Sequence, residues 1–216
     1  MRRSLLLGVL LALAACFGPT RSDLAQYERM RQRTAAEGRA NADEAISCDQ
    51  TDMICVRLLV LRGAACAHLS EAPQVADRVR GRLCALEDFR AAERQLPESA
   101  PAEDRRRVLT GLAEAQKINR DNSASNEAAA DLNRQILATA AQLAPVPGGA
   151  PYGAYFEADA LTFRGLRDSS SPADACRNLA DARARLPGGA AAQDLARRVA
   201  LLRTTIEGAI QTRRCA

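Results

Sequence analysis

Seven cysteines and a single histidine are the residues best equipped for chemistry in this 216-residue chain. A cysteine can serve as nucleophile, metal ligand, disulfide partner or thioether attachment point, and spacing and compartment decide among them. A Cys–His nucleophile pair needs a free thiol against His68. Cys66 lies two residues away, and on a helix that spacing turns the two side chains about 200° apart. No Cys-x-x-Cys pair occurs, so zinc-ligand spacing is missing. A Gly-rich phosphate loop and a serine elbow are missing too. The carboxylates Glu87, Asp88, Glu93, Glu103 and Asp104 read as residues of solvated helix faces. The sequence therefore reads as a non-enzyme with no metal and no cofactor.

Cys16 stands apart from the other six. Arg2 and Arg3 precede an uncharged apolar run from Leu5 to Ala15. That run is too short to cross a bilayer, which takes about 20 residues, and has the length of a signal-peptide core. It ends in Leu13-Ala14-Ala15-Cys16, which resembles the lipobox of bacterial lipoproteins. The resemblance implies cleavage just before Cys16, a diacylglyceryl thioether on its sulfur and an acyl chain on the new amino terminus. Ala14 and Ala15 are small enough for a peptidase cleft, and only cysteine offers the thiol. Several acyl chains, at about 0.8 kcal/mol per buried CH₂, anchor a protein stably where one would not. Residues 1–15 are thus expected to be a signal peptide and 16–22 a lipidated tether. The expected location is the bacterial cell envelope, facing the periplasm. By the same resemblance, Phe17 in place of aspartate favours the outer membrane over the inner.

An exported chain with six further cysteines is expected to form disulfides. Cys55 and Cys66 share one expected helix at about 16 Å of axial separation, beyond the roughly 7 Å that a disulfide allows between Cα atoms. The pairing favoured is Cys48–Cys55 with Cys66–Cys84, and Cys55–Cys84 is the competitor. Cys176 and Cys215 are left to each other, stapling the chain end.

Composition sets the fold class. Alanine, leucine, arginine, glutamate and glutamine dominate, and all favour helix. Apolar periodicity predicts a first helix from near Ser22 towards Ile46, a buried one over 52–69 and a third from Pro73 to Pro97. A fourth starts near Ala102. The polar stretch Asn119–Asn126 either breaks it before a fifth or is absorbed into one long helix to residue 144. The segment 144–153 carries three prolines and three glycines and reads as a hinge. Helices over about 154–167, 172–186 and 190–212 follow. The expectation is an all-α protein of about seven helices in antiparallel hairpins, with an N-terminal unit at 23–144, the hinge at 145–153 and a C-terminal unit at 154–216.

An internal echo accompanies this pattern. Leu61-Arg62-Gly63 recurs as Phe163-Arg164-Gly165. Leu96-Pro97 with Ala100, Asp104 and Arg107 recurs as Leu186-Pro187 with Ala190, Asp194 and Arg197. The pattern resembles the helix-turn-helix units of tetratricopeptide-type repeats, with Gly63 or Gly165 at the close-packing position and Pro97 or Pro187 closing the unit. The resemblance implies a solenoid whose concave face, or the hinge, holds a protein or peptide segment.

A formal charge of +4, two units of which belong to Arg2 and Arg3, is no footprint for nucleic acid. Aromatic residues make up 3% with no tryptophan, leaving few platforms for stacked bases. Lys117 is the one lysine among 30 basic residues and reads as compositional bias rather than a binding device. The aromatic cluster Tyr152, Tyr155, Phe156 and Phe163 is more selective. Phe156 and Phe163 are spaced to pack inward, whereas Tyr152 and Tyr155 are the partner-binding candidates, expected to stay partly exposed. The function expected is a lipid-anchored envelope scaffold or adaptor with a protein partner; a structural lipoprotein bridging two envelope layers, or an envelope enzyme, is the alternative. Replacing Cys16 by serine is expected to abolish acylation and leave an uncleaved or soluble form. Mass spectrometry of the amino terminus and membrane partition check this, and normal partition of the variant would refute the anchor.

Overall fold

A chain so rich in helix formers has little else to become. The computed structural model describes residues 21–36, 39–47, 52–188 and 193–215, and it holds eight helices and no strand among them. They are α1 (Arg21–Ala36), α2 (Met53–Leu69), α3 (Val75–Gln95), α4 (Ala102–Asp121), α5 (Asn126–Leu143), α6 (Ala150–Arg167), α7 (Pro172–Arg185) and α8 (Gln193–Arg213). Cys16, Cys48 and the expected signal peptide lie outside the described residues.

Side-chain caps mark several starts. Asp52 accepts the Cys55 amide at 2.7 Å, Ser125 that of Ala128 at 3.2 Å and Ser171 that of Asp174 at 3.1 Å. The Ser125 cap is why α4 and α5 are separate helices rather than one. Two boundaries differ from expectation. The first helix stops at Ala36 instead of continuing towards Ile46, because residues 39–47 fold back along it. Asn41 is fully buried there and donates to Met30 O at 2.8 Å and Thr34 Oγ1 at 2.7 Å. α6 begins at Ala150, so only 144–149 of the expected hinge is irregular. Pro151 sits in the first helical turn, where its missing N–H costs nothing. Gly148, at φ +72°, makes the turn.

Each helix packs on the next from α1 to α8, while α2 also meets α4 and α6 also meets α8. The result is two layers, with α2, α4, α6 and α8 in one and α3, α5 and α7 in the other. The largest apolar cluster draws Leu109, Ile136, Leu143, Phe156, Leu195 and Ile206 from α4, α5, α6 and α8. Val146 belongs to it as well, so the core runs unbroken across residues 145–153.

Glycine permits the closest crossings. A Cβ on Gly63 would stand 3.0 Å from the Phe89 ring, and one on Gly111 only 2.1 Å from its other edge. Phe89 of α3 is thus a wedge between α2 and α4. Gly165 plays the same part against Leu179, at 2.7 Å. At Gly81 a Cβ would lie 2.6 Å from the Ser70 amide, so α3 rests directly on the end of α2 and brings Cys84 opposite Cys66. Those two form a disulfide with Cα atoms 5.8 Å apart. Cys176 and Cys215 form another at 5.4 Å. The competitor Cys55–Cys84 is thereby excluded; Cys55 is itself disulfide-bonded, and its expected partner Cys48 is outside the described residues.

The wedge is testable. Phe89→Ala is expected to destabilise the fold by about 3–5 kcal/mol, the range for deleting a buried phenylalanine ring. Urea unfolding followed by circular dichroism measures it, and a loss under about 1 kcal/mol would contradict the sandwich between Gly63 and Gly111.

Candidate functional site

Arginine–carboxylate pairs link helices that are not always neighbours in sequence. Arg57 on α2 holds Asp104 on α4 through Nη2 at 2.8 Å and Nε at 3.2 Å. Arg62 on α2 holds Asp88 on α3 at 2.7 and 2.9 Å, and also donates to Glu44 O. Asp88 and Asp104 are only 2% and 8% exposed, which corrects their assignment to solvated faces. A two-pronged guanidinium supplies each carboxylate with two donors inside the fold. Glu87 and Glu103 are exposed as expected.

The densest polar group lies where α4, α6 and α8 meet, and helical spacing builds it from three stripes. Lys117, Arg120 and Asp121 lie within the last turn and a half of α4; Asp159, Phe163 and Leu166 lie along one face of α6; Arg198, Leu201, Leu202 and Thr205 lie along one face of α8. Arg120 is the centre, 3% exposed. Its Nη1 donates to Asn133 Oδ1 at 2.9 Å and stands 2.8 Å from Asp159 Oδ2, while Nε donates to Asp121 Oδ1 at 2.9 Å. Its guanidinium lies 4.8 Å from the centre of the Phe163 ring, a cation–π contact. Asn133 in turn donates to Ala160 O at 3.1 Å. Asp159 Oδ2 is paired with Arg120 by charge but receives no aligned hydrogen bond, because the nearby Nη1 donates to Asn133.

Lys117 Nζ is 3.2 Å from Asp121 Oδ2 and 4.0 Å from Asp159 Oδ1. Burial pulls its pKa down, but Asp159, Asp121 and Glu114 outweigh that, so it rises and the ammonium stays charged. Tyr155 feels burial first and Asp159 second; Lys117 opposes them, and the phenol is pushed up to about 12. It remains neutral at physiological pH.

Above this floor opens a cleft of about 390 Å³. Leu166 and Leu201 at its edge are 39% and 62% exposed. Arg198 pairs with Glu114 of α4 at 2.6 Å. Arg167 is exposed and has no ion-pair or hydrogen-bond partner among the described residues. A preformed cleft with apolar walls and a few oriented charges has the form that ligand-binding sites share. Its lining carries no cysteine, serine or histidine.

The residues singled out from sequence fall elsewhere or differ in exposure. Tyr155 lines the cleft but is buried, edge-on to Phe156 with centroids 5.1 Å apart. The expectation that it stays partly exposed is corrected: α6 starts earlier than expected, which turns Tyr155 into the helix interior face. Tyr152 is half-buried, with the Arg106 guanidinium 5.7 Å from its ring centre. His68 is exposed near the end of α2. Cys66, Cys84 and Asp88 form the one group of metal-ligating types among the described residues. The two sulfurs are bonded to each other and Asp88 is held by Arg62, so no thiolate is offered. Sequence reading missed Lys117, Arg120, Asp121 and Asp159. The available signal was Asp159, a lone carboxylate inside the mostly apolar run from Ala158 to Phe163.

Comparison with protein-family models, curated proteins and solved structures returned no match, so geometry carries the reading. Arg120→Met leaves Asp159 buried without a cation and is expected to cost about 3–5 kcal/mol. Adding Asp159→Asn should recover a large part of that loss. Denaturant unfolding of the two single variants and the double checks this; strict additivity would show that the pair is not coupled.

Proposed function

We propose that this chain is a bacterial envelope lipoprotein, tethered through Cys16, that acts as a protein-interaction adaptor and holds a segment of its partner in the cleft between α4, α6 and α8. The observation that carries this reading is the cleft itself. Leucines remain exposed at its edge beside a guanidinium, that of Arg167, with no partner among the described residues. Exposed large apolar groups framed by charge are the usual marks of a recognition surface. Stacked antiparallel hairpins, similar in arrangement to tetratricopeptide-type units, provide a rigid layer of alternate helices on which such a surface can be laid.

No helix among the described residues is long and apolar enough to cross a membrane, and in this reading attachment rests on lipid at Cys16. The Leu13-Ala14-Ala15-Cys16 sequence supports that address, with the domain facing the periplasm and Phe17 favouring the outer membrane. The Cys66–Cys84 and Cys176–Cys215 disulfides accord with an oxidising compartment.

Capture from detergent-solubilised membranes tests the proposal, with the lipidated wild-type chain as bait beside a Leu166→Glu/Leu201→Glu bait of unchanged circular dichroism. The expected outcome is a protein partner whose recovery drops about tenfold or more with the double variant. Equal recovery with both baits would move binding off the cleft. Recovery with the sacculus in place of a protein would assign a structural, layer-bridging role.

A further inference from the structure

Two seams run along the layer formed by α2, α4, α6 and α8, and each has an arginine–aspartate pair at its floor. Arg57–Asp104 lies under the α2–α4 seam, and Arg120–Asp159 under the seam where α4 meets α6 and α8. The first seam is roofed by a helix of this chain. Tyr27 of α1 lies over Arg57, Leu61, Asp104 and Val108, leaving only about 30 Å³ of space, and Met30 beside it is fully buried. The second seam has no such roof among the described residues and keeps about 390 Å³.

Charge in the open seam sorts by depth. Towards the floor, Arg120 and Lys117 meet the buried Asp159 and the more exposed Asp121, and the charges cancel. At the rim cations outnumber carboxylates, since Arg167 has no partner among the described residues while Arg198 pairs with Glu114. The two rim arginines stand far apart along the helix axes. Arg213 of α8 donates to Leu166 O at 3.0 Å, which sets the end of α6 level with the end of α8. From Arg198 to Arg213 is about 22 Å of helix, or roughly four turns. Leu201 and Leu166 are exposed over that span, with the Phe163 ring beneath them.

We infer that the open seam receives an amphipathic, acidic helix of a partner protein, its apolar stripe on Leu166, Leu201 and Phe163 and its carboxylates on Arg167 and Arg198. This rests on the adaptor reading and names the ligand of that site. The separation of the rim arginines matches a helix of about four turns with carboxylates at its two ends, and the apolar strip from Leu201 to Leu166 covers about three of those turns. α1 shows that this layer accepts a helix across an adjoining seam.

The test uses the mature chain and two fluorescein-labelled helical peptides of about 16 residues with the same leucine stripe, one flanked by glutamates and the other by lysines. Fluorescence anisotropy reads binding, and sodium dodecanoate is titrated separately as a small anionic amphiphile. The glutamate peptide is expected to bind saturably and the lysine peptide at least about tenfold more weakly. Arg167→Glu should weaken the glutamate peptide by about tenfold at low salt, a difference that shrinks as salt is raised. Leu201→Glu should abolish binding. Equal binding of both peptides, lost in Leu201→Glu, would overturn the acidic ligand while leaving the cleft as a docking groove. Binding of dodecanoate with neither peptide bound would overturn the helix in favour of a small amphiphile. If neither peptide binds while capture still depends on Leu166 and Leu201, this inference alone falls. If capture is cleft-independent as well, the adaptor reading falls with it.

Discussion

Register between alternate helices is set by guanidinium groups placed against carboxylates, and Arg120 is where this constraint is tightest. A buried ion pair is a weak source of net stability, because removing two charges from water costs about as much as their attraction returns. Its effect is on geometry. A slide of one residue along a helix is about 1.5 Å, enough to break a 2.8 Å contact, so a pair holding α4 to α6 tolerates only one alignment. Arg120 fixes three elements at once: its own α4 through Asp121, α5 through Asn133, and α6 through Asp159 and Phe163. Arg57–Asp104 does the same between α2 and α4.

Such locking is needed because the apolar core is built from small parts. Ala92, Ala113, Ala158, Ala160 and Ala182 are all fully buried, and the chain has no tryptophan. Alanine lets helices approach closely but removes little apolar area from water per residue, and hydrophobic stabilisation scales with that area. Smooth helix faces of this kind also specify alignment poorly. Phe89, wedged between Gly63 and Gly111, supplies one large interlocking feature. The disulfides supply covalent ones: Cys66–Cys84 ties the α2–α3 hairpin, and Cys176–Cys215 returns the end of the chain to α7.

The helical part of this design was legible because it depends on local signals. The α2 span and the α4–α5 break follow from periodicity and caps, while the Cys66–Cys84 and Cys176–Cys215 pairings follow from excluding Cys55–Cys66 and from which cysteines share a hairpin or unit. Gly63 and Gly165 stood out as close-packing positions through the internal echo of Leu61-Arg62-Gly63 in Phe163-Arg164-Gly165. What stayed hidden depends on contacts distant in sequence. Asp88 and Asp104 look like surface carboxylates until Arg62 and Arg57 arrive from another helix. The early stop of α1 depends on Asn41 returning to Met30 O, which no propensity records. Tyr155 was misjudged because the prolines of 144–153 suggested a later helix start, whereas proline in a first turn is no obstacle. The cleft was the least legible of all, since its residues come from α4, α6 and α8 and no single segment carries a motif.

Floor and rim of that cleft have different physical roles in recognition. The floor charges already neutralise one another, so a ligand gains little charge attraction by meeting them; they hold the walls at a fixed spacing. Affinity has to come from the apolar rim. Full burial of a leucine contributes about 1.5–3 kcal/mol, and Leu201, at 62% exposed, has much of that still to realise. The rim arginines act on selection instead, because exposed guanidinium groups steer encounter and reject like charge more than they tighten a complex. α4 joins this surface to the other seam, with Asp104 and Val108 under α1 and Lys117 and Arg120 under the cleft. The helix that fixes how the N-terminal segment docks is therefore also the wall against which a partner would be read.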